Sequence, residues 1–438
     1  MKRILCTIAL ILALVCVVAS CNKSPEITIS EDGYWVINGE KTDVKAQGEK
    51  GDKGDKGDSA TATDENPLGL AFFLKDDGTY IVEIGNAKYL SKIEIPATYN
   101  GKAVTEVGDF SSNKVKEIII DRGIKSIGDD AFFWCTSLTS VAIPDSVTSI
   151  GDSAFADCTS LTSVTIPDSV TSIGEYAFAG CTSLMSITIP DSFTSIGNGT
   201  FSGCTSLTSV IIPDGIVSIA DNAFGNCNNL VGNLYDNAYY LGNDQNPYLL
   251  LLCAKSTDIT SCIIHKDTRF FHESAFSDCT FLTSVTILDS VTSIGSGAFA
   301  YCTSLTSILV DNDNTAYQSI EGNLYSKDGN TLIAYAIGKT AMSFTIPDGV
   351  TSIGDEAFYG CEALMSVTIP DSVTSIGYQA FRGCYALTSA TFENPNGWWI
   401  ASNAAGINGE QLDYLSDSSM AAQHLSRNYV YEYWFRTE

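Results

Sequence analysis

Basic residues are scarce in this chain, in which 24 lysines and arginines stand against 51 aspartates and glutamates, with only three histidines. The formal net charge of −27 repels phosphate backbones and anionic lipid headgroups, so nucleic acid is excluded as a partner. Residues 131–220 contain no lysine, arginine or histidine. Most of the chain therefore lacks a general base with cationic support, and we predict no catalytic residue and no enzyme activity.

Long apolar runs are also missing, apart from one near the N-terminus. Lys2 and Arg3 precede the apolar residues 4–18, a run too short to span a bilayer comfortably and typical of a signal peptide. The run leads into residues 18–21, VASC, which resemble the lipobox of bacterial lipoproteins. This resemblance implies a signal peptide over residues 1–20 and an acylated Cys21 as the membrane anchor.

Proline is absent from the run GEKGDKGDKGDS, whose glycines at 48, 51, 54 and 57 follow a collagen-like Gly-X-Y pattern. With few triplets and no proline, the run favours a flexible spacer over residues 21–68, and a triple helix is the alternative. Within that segment, YWVING at residues 34–39 predicts a small hairpin, because Asn-Gly favours the tight hairpin turn.

A repeat dominates the rest of the chain. The pattern [AT]-F-x-x-C occurs nine times, and five of its cysteines follow one another at intervals of 23 residues. These five are Cys135, Cys158, Cys181, Cys204 and Cys227. A fixed period of this length indicates a solenoid, in which each coil buries its apolar side only against its neighbours. We predict a mainly β solenoid of about twelve 23-residue coils over residues 90–392.

One repeat, residues 161–183, shows how each coil is built. Val164 and Ile166 alternate with Ser163 and Thr165, so the apolar side chains are predicted to face inward and the hydroxyls outward. The Pro-Asp-Ser sequence that follows ends the strand and turns the chain. Stacking should place the rings of five successive coils in one continuous row: Phe132, Phe155, Phe178, Phe201 and Phe224.

Both ends of the solenoid carry segments of different character. Asp77-Gly78 separates two apolar stretches, which predicts an N-terminal β-hairpin cap over residues 69–89. After residue 393 the repeat stops, and LSDSSMAAQHL suggests a short helix before an aromatic strand at residues 430–435. We therefore expect a C-terminal α/β cap over residues 393–438.

Two longer coils interrupt the period, and both are rich in tyrosine. Protruding tyrosines on a rigid scaffold are candidate ligand contacts, with a purely structural role as the alternative. The tryptophan pair after the last repeat is either part of the cap or a sugar-binding platform. The predicted contacts are Tyr235, Tyr239, Tyr240, Tyr317, Tyr325, Trp398 and Trp399.

The cysteines allow two interpretations. Stacked thiols in an exported protein raise the prospect of disulfides, yet cysteine also replaces a small buried hydrophobe well. We favour free core thiols. The turn aspartates invite a calcium hypothesis, but each is better explained by bonds to its own turn, so we predict no metal site and no cofactor.

The unit L-x-x-V-x-I-P-D-S-V-T-S-I-G-x-x-A-F-x-x-C resembles the bacterial BspA-type leucine-rich repeat from about residue 90 to residue 392. The resemblance implies a leucine-rich-repeat solenoid in a lipoprotein of the bacterial cell envelope, anchored by lipid only and exposed on the outer membrane. It also implies adhesion to host or microbial surface proteins. Glycan binding and a structural role in a surface layer are the alternatives.

Overall fold

The computed structural model describes residues 69–404, 409–412 and 414–437, together with the backbone of three strands nearer the N-terminus. Contacts divide the chain into two compact units, residues 1–59 and 60–438. The first unit contains an antiparallel sheet of Ile27–Ile29, Tyr34–Ile37 and Glu40–Lys45. Ile37 pairs with Glu40, which confirms the predicted hairpin. The signal segment, Cys21 and the Gly-X-Y run lie outside the described residues.

The second unit is a solenoid of about 14 turns with coils of ~23 residues, about two turns more than predicted. The fold is mainly β, with 30% strand and 4% helix, as expected from the repeat. Each regular coil has three sides: a longer strand, a two-residue strand, and a turn that carries the phenylalanine and cysteine. The domain boundaries drawn from the sequence stay predictions.

The longer strands follow one another on one side of the stack, and we call this series the first ladder; it is divided among four parallel sheets. Ser140 pairs with Ser163 and Val141 with Val164, so each residue lies beside the equivalent residue of the next repeat. Ser163 and Thr165 are exposed and Val164 is buried, which confirms the predicted alternation. The ladder consists of Lys92–Ile95, Glu117–Ile120, Ser140–Ala142, Ser163–Thr165, Ser186–Thr188, Ser209–Ile211, Ser284–Ile287, Ser307–Val310, Ser343–Thr345, Ser366–Ile369 and Ser389–Phe392.

The shorter strands follow one another as the second ladder, which is also divided among four sheets; within a sheet the isoleucines of successive regular coils pair with one another. Its members are Lys102–Val107, Ser126–Ile127, Ser149–Ile150, Ser172–Ile173, Ser195–Ile196, Ser218–Ile219, Leu250–Ala254, Phe270–Phe271, Ser293–Ile294, Thr331–Ala334, Ser352–Ile353 and Ser375–Ile376. Thr98–Tyr99 pairs with the first member, Lys102–Val107.

Both predicted caps are present. Ala71–Leu74 and Tyr80–Glu83 form the N-terminal hairpin, which is followed by the 3-10 helix Gly85–Tyr89. Tyr80–Glu83 pairs with the first strand of the second ladder and so covers its edge.

At the C-terminal end, Tyr433–Arg436 lies antiparallel between the last strand of the second ladder and Trp398–Ala401. Glu410–Gln411 pairs with Trp398–Ala401. The α-helix Ser418–Gln423 begins after Asp417, whose carboxylate accepts bonds from the first-turn amides, and it continues as the π-helix His424–Asn428.

Phenylalanine and cysteine fill the third side of each coil. The rings of Phe155, Phe178 and Phe201 stack with centroids 5.1 and 5.7 Å apart. The Cys204 thiol donates to the Phe178 carbonyl at 3.2 Å, and the same bond recurs from coil to coil. Every cysteine in the described residues has a free thiol. The thiol thus fills a small apolar space and also satisfies a buried carbonyl.

Each turn on this side contains a residue with left-handed backbone just before the cysteine. Glycine, asparagine and aspartate occupy most of these positions, because they tolerate positive φ best. Trp134 and Tyr301 are the bulky exceptions. The complete set is Trp134, Asp157, Gly180, Gly203, Asn226, Asp278, Tyr301, Gly360 and Gly383.

The two longer coils contain three-stranded antiparallel meanders. The first meander consists of Asn233–Tyr235, Ala238–Leu241 and Leu250–Ala254, and the second consists of Tyr317–Ile320, Asn323–Ser326 and Thr331–Ala334. The last strand of each joins the second ladder in parallel. Both coils lack the phenylalanine and cysteine turn, so the buried apolar residues form three clusters that divide near the two meanders.

Removing one ring from the phenylalanine row should open a cavity between rigid neighbours. We expect Phe178→Ala to lower the free energy of unfolding by about 3–5 kcal/mol, measured by urea unfolding followed by circular dichroism. Met185→Ala in the next coil, where the side chain is 55% exposed, should change it by less than about 0.5 kcal/mol. Equal losses in the two variants would show that the row does not hold the coils together.

The left-handed positions predict opposite effects for two substitutions. Trp134→Gly should stabilise the protein by about 0.5–1 kcal/mol, because the indole is 65% exposed and its backbone is strained. Gly203→Ala should destabilise it by about 1 kcal/mol, since φ is +73° there while the space around the Cβ is ordinary. The same urea titrations measure both; a loss of stability in Trp134→Gly would contradict the strain argument.

Candidate binding surface

Two of the predicted contact tyrosines lie in the core. Tyr240 and Tyr325 occupy the middle strands of the two meanders and are fully buried. Burial raises the pKa of Tyr240 above its usual range and raises that of Tyr325 to about 12. Alternation along the strand explains the placement, since Tyr239 points outward and Tyr240 inward. These two side chains stabilise the coil and leave no surface open to a ligand.

Tyr317 and Trp398 are buried as well, with their polar atoms paired. The Tyr317 hydroxyl accepts a bond from the Ile294 amide at 2.9 Å, which ties the second meander to the second ladder. The Trp398 Nε1 donates to the Asn394 carbonyl at 3.0 Å, and the indole packs against Phe392. These contacts support a structural role for Tyr317 and Trp398.

The other three predicted contacts are half-buried. Tyr235 packs edge-on against His265, with centroids 4.7 Å apart. Trp399 packs against Phe435 at 5.0 Å within the C-terminal sheet. Tyr239 lies on the outward side of its strand. A ligand contact for Tyr235, Tyr239 or Trp399 stays a prediction.

A cluster that the sequence did not single out lies on the third side near the C-terminal end. We define the aromatic patch as Tyr301, Tyr359, Arg382, Tyr385 and Tyr431. The Arg382 guanidinium lies 5.0 Å from the ring centroid of Tyr359 and 5.1 Å from that of Tyr431. Tyr385 is 65% exposed and Tyr431 52% exposed. The patch therefore presents aromatic surface held in place by an internal cation–π arrangement.

Tyr301 and two glycines shape this surface. The Tyr301 ring packs against Tyr359, with centroids 5.0 Å apart. A Cβ at Gly360 would lie 2.5 Å from the Tyr301 ring, and one at Gly383 would lie 3.2 Å from its hydroxyl. These glycines therefore let one tyrosine extend across two neighbouring coils. The signal in the sequence is a tyrosine or arginine at the variable positions of A-F-x-x-C in these coils, as in AFAYC, AFYGC and AFRGC.

A cavity of about 160 Å³ lies beside the patch. It forms between residues 294–300 and 354–359, where the second meander coil lacks its turn. Ser296, Tyr335, Asp355, Glu356 and Tyr359 contribute to its wall, so the patch and the cavity share Tyr359.

Carboxylates from different coils meet at this cavity. Burial, followed by the charges of Glu273 and Asp355, raises the pKa of Glu356 to about 7, while Arg382 opposes the shift. Burial also raises the pKa of Glu273 and of Asp355. Asp221 accepts a bond from the Ser296 amide at 3.2 Å, across the position where the first meander coil lacks its turn. The charged residues of the wall are thus two carboxylates, Asp355 and Glu356, and the charge of Arg382 acts on Glu356 from outside the wall.

No arrangement suited to metal binding accompanies these carboxylates. Among the described residues, no group of three or more histidine, cysteine, aspartate or glutamate side chains is placed to hold a metal ion. In the same part of the chain, no helix is both long and apolar enough to cross a bilayer.

A known protein family shares this repeat architecture. The family model for the BspA type leucine rich repeat region matches six copies, over residues 106–231, 252–330 and 334–404. The chain is similar to a solved leucine-rich cell surface protein from Faecalibacterium prausnitzii, with 31% identity over 76% of each chain and a TM-score of 0.39. No curated protein sequence matches it.

A second solved structure, a leucine-rich repeat protein from Bacteroides ovatus, is 28% identical over 76% of this chain and 94% of that chain, with a TM-score of 0.39. The family ranges cover more than half of the sequence and include the regular coils with their phenylalanine and cysteine turns. The chain therefore belongs to the BspA-type leucine-rich repeat family, as its repeat unit predicted.

Proposed function

We propose that this chain is a non-enzymatic lipoprotein of the bacterial cell surface whose solenoid binds protein partners through the aromatic patch. One observation carries the proposal: exposed tyrosines and an arginine are concentrated on one rigid side of the stack. Tyrosine and arginine are enriched among the residues that dominate protein–protein binding energies. The proposed role is adhesion to host or microbial surface proteins.

Rigidity supports the same function. Tyr301 extends across two coils, and Arg382 is held both by its two tyrosines and by a bond from Nη1 to the Gln379 Oε1 at 2.6 Å. Side chains already ordered before association lose little conformational entropy on binding. A patch of this kind converts its contact area into affinity more efficiently than mobile side chains would.

The cell-surface part of the proposal draws on the N-terminus and on one relative. Residues 18–21 resemble a lipobox, which would place a lipid on Cys21 and anchor the protein in the outer membrane. The solved relative from Faecalibacterium prausnitzii is described as a cell surface protein. Substituting Cys21→Ser should move the protein from the membrane fraction to the soluble fraction, as judged by immunoblotting.

We expect the double variant Tyr385→Ala/Tyr431→Ala to weaken binding to a protein partner by about 10- to 100-fold, because two exposed anchors are removed. Binding is measured by biolayer interferometry against a panel of immobilised extracellular-matrix and microbial surface proteins. The matched control is Tyr89→Ala in the N-terminal cap, where the side chain is 78% exposed, and it should bind as the wild type does.

A glycan array run in parallel tests the alternative ligand class. Binding to glycans but to no protein of the panel would replace the protein-binding function with a lectin function. Equal binding by the double variant and the wild type would remove the aromatic patch from the proposal. Silence on both panels together with self-association in analytical ultracentrifugation would favour a structural surface layer.

A further inference from the structure

Resting on the proposed function, we infer that the aromatic patch and the cavity beside it receive lysine and arginine side chains, so the partner is a protein that presents a basic segment. Arg382 of the chain itself already occupies one such position, against two tyrosine rings of the patch.

Arg382 shows that the rings of the patch accept a cation. Its guanidinium lies between the rings of Tyr359 and Tyr431, at 5.0 and 5.1 Å from their centroids, within the distance at which cation–π attraction operates. Tyr431 remains 52% exposed and Tyr385 is 65% exposed, so both present further ring surface to solvent. A second guanidinium or ammonium group from outside would contact this remaining ring surface, while the positive charge of Arg382 would oppose its approach.

The cavity supplies the matching negative charge. Asp355 and Glu356 line it, and neither they nor Glu273 form an ion pair with any described residue. The charges of Glu273 and Asp355 act together on Glu356, and Arg382 opposes them. An ammonium or guanidinium group at the mouth of the cavity would reduce the repulsion among these carboxylates. An anionic ligand would increase it.

Size and position agree with a side chain as the occupant. A cavity of about 160 Å³ is smaller than the sites that enclose drug-sized molecules, which are about 300–1,000 Å³. Tyr359 belongs to both the patch and the cavity wall, so one extended segment of a partner can contact both. Complementary charge of this kind favours fast and specific association.

The test uses the mature full-length chain and three peptides: hexa-arginine, hexa-lysine, and hexa-lysine acetylated on every side chain. Titration calorimetry measures the affinity of each. We expect Glu356→Gln to weaken hexa-arginine binding by about 5- to 10-fold, and Tyr385→Ala/Tyr431→Ala by more than about 10-fold. Asp145→Asn removes the same charge from an exposed turn far along the sequence, and it should change affinity by less than about twofold.

Each other outcome contradicts the inference. Equal weakening by Asp145→Asn and Glu356→Gln would mean that the peptides respond only to the overall negative charge. Binding of the acetylated peptide as strongly as hexa-lysine, or no binding of either charged peptide at millimolar concentration, would also overturn it.

Binding to a partner from the protein panel distinguishes a failure of this inference from a failure of the proposed function. If the tyrosine double variant loses a partner from the protein panel while Glu356→Gln and high salt leave its affinity unchanged, the patch binds protein but not through basic side chains. If the tyrosine double variant keeps the partner, the proposed binding site itself is wrong.

The pH dependence provides an independent check. The groups that face Glu356 are Glu273, Asp355, Asp221 and Arg382. Because the pKa of Glu356 is about 7, hexa-arginine should bind more weakly as the pH falls from about 8 to about 5.5, and Glu356→Gln should flatten this profile. A profile that is unchanged in Glu356→Gln would contradict a role for this carboxylate.

Protein stability should respond in the opposite sense to pH. The folded-state pKa of Glu356 is raised above its ordinary value of 4.5, so the folded protein binds more protons than the unfolded chain between about pH 4.5 and 7. Stability is therefore lost as the pH rises through this window. Glu356→Gln should raise the Tm at pH 8 and give little gain near pH 4.5, which also shows that the variant is folded.

Discussion

The stacking of each coil on the next is the interaction on which the rest of this protein depends. The Phe178 amide donates to the Thr200 carbonyl of the following coil at 2.9 Å, and the Phe178 carbonyl accepts the thiol of Cys204. Ring stacking at 5.1 and 5.7 Å accompanies these bonds on the same side of the coil. A single coil has no partner for these groups, so it is stable only as part of the stack. The folded conformation of each coil therefore depends on the folded coils beside it.

The features that suggest binding arise where this stacking is interrupted. The second meander coil has no phenylalanine and cysteine turn, so residues 294–300 and 354–359 face each other across a cavity. The first meander coil lacks the same turn, and there Asp221 reaches Ser296 and the Glu273 carboxylate accepts a bond from the Asn222 amide at 2.9 Å. Removing one layer at each meander thus brings together charges that regular stacking would hold in separate coils. The rigid coils on either side keep those charges close despite their repulsion.

Backbone conformation links the repeat to the aromatic patch. The position before the cysteine is left-handed in each regular coil, and glycine at Gly360 and Gly383 leaves room for a large neighbouring side chain. Tyr301 stands in the same position of its own coil and extends over both glycines. A bulky residue with positive φ carries a conformational cost, which the stacked coils around it offset. In the proposed function, the strained backbone at Tyr301 holds the ring in a fixed position on the contact surface.

The repeat period by itself determined the solenoid, its inward phenylalanine and cysteine rows and its outward hydroxyls. Each coil repeats the same local instructions, so residues one period apart become neighbours without further information. The caps also followed from local signals such as Asp77-Gly78. Alternation places Tyr239 and Tyr240 on opposite sides of their strand, but only the tertiary structure decided which of the two sides faces the core. The meeting of Glu273 with Glu356, and of Tyr301 with Tyr385, depends on how the longer coils fold back, and no local pattern encodes that distance.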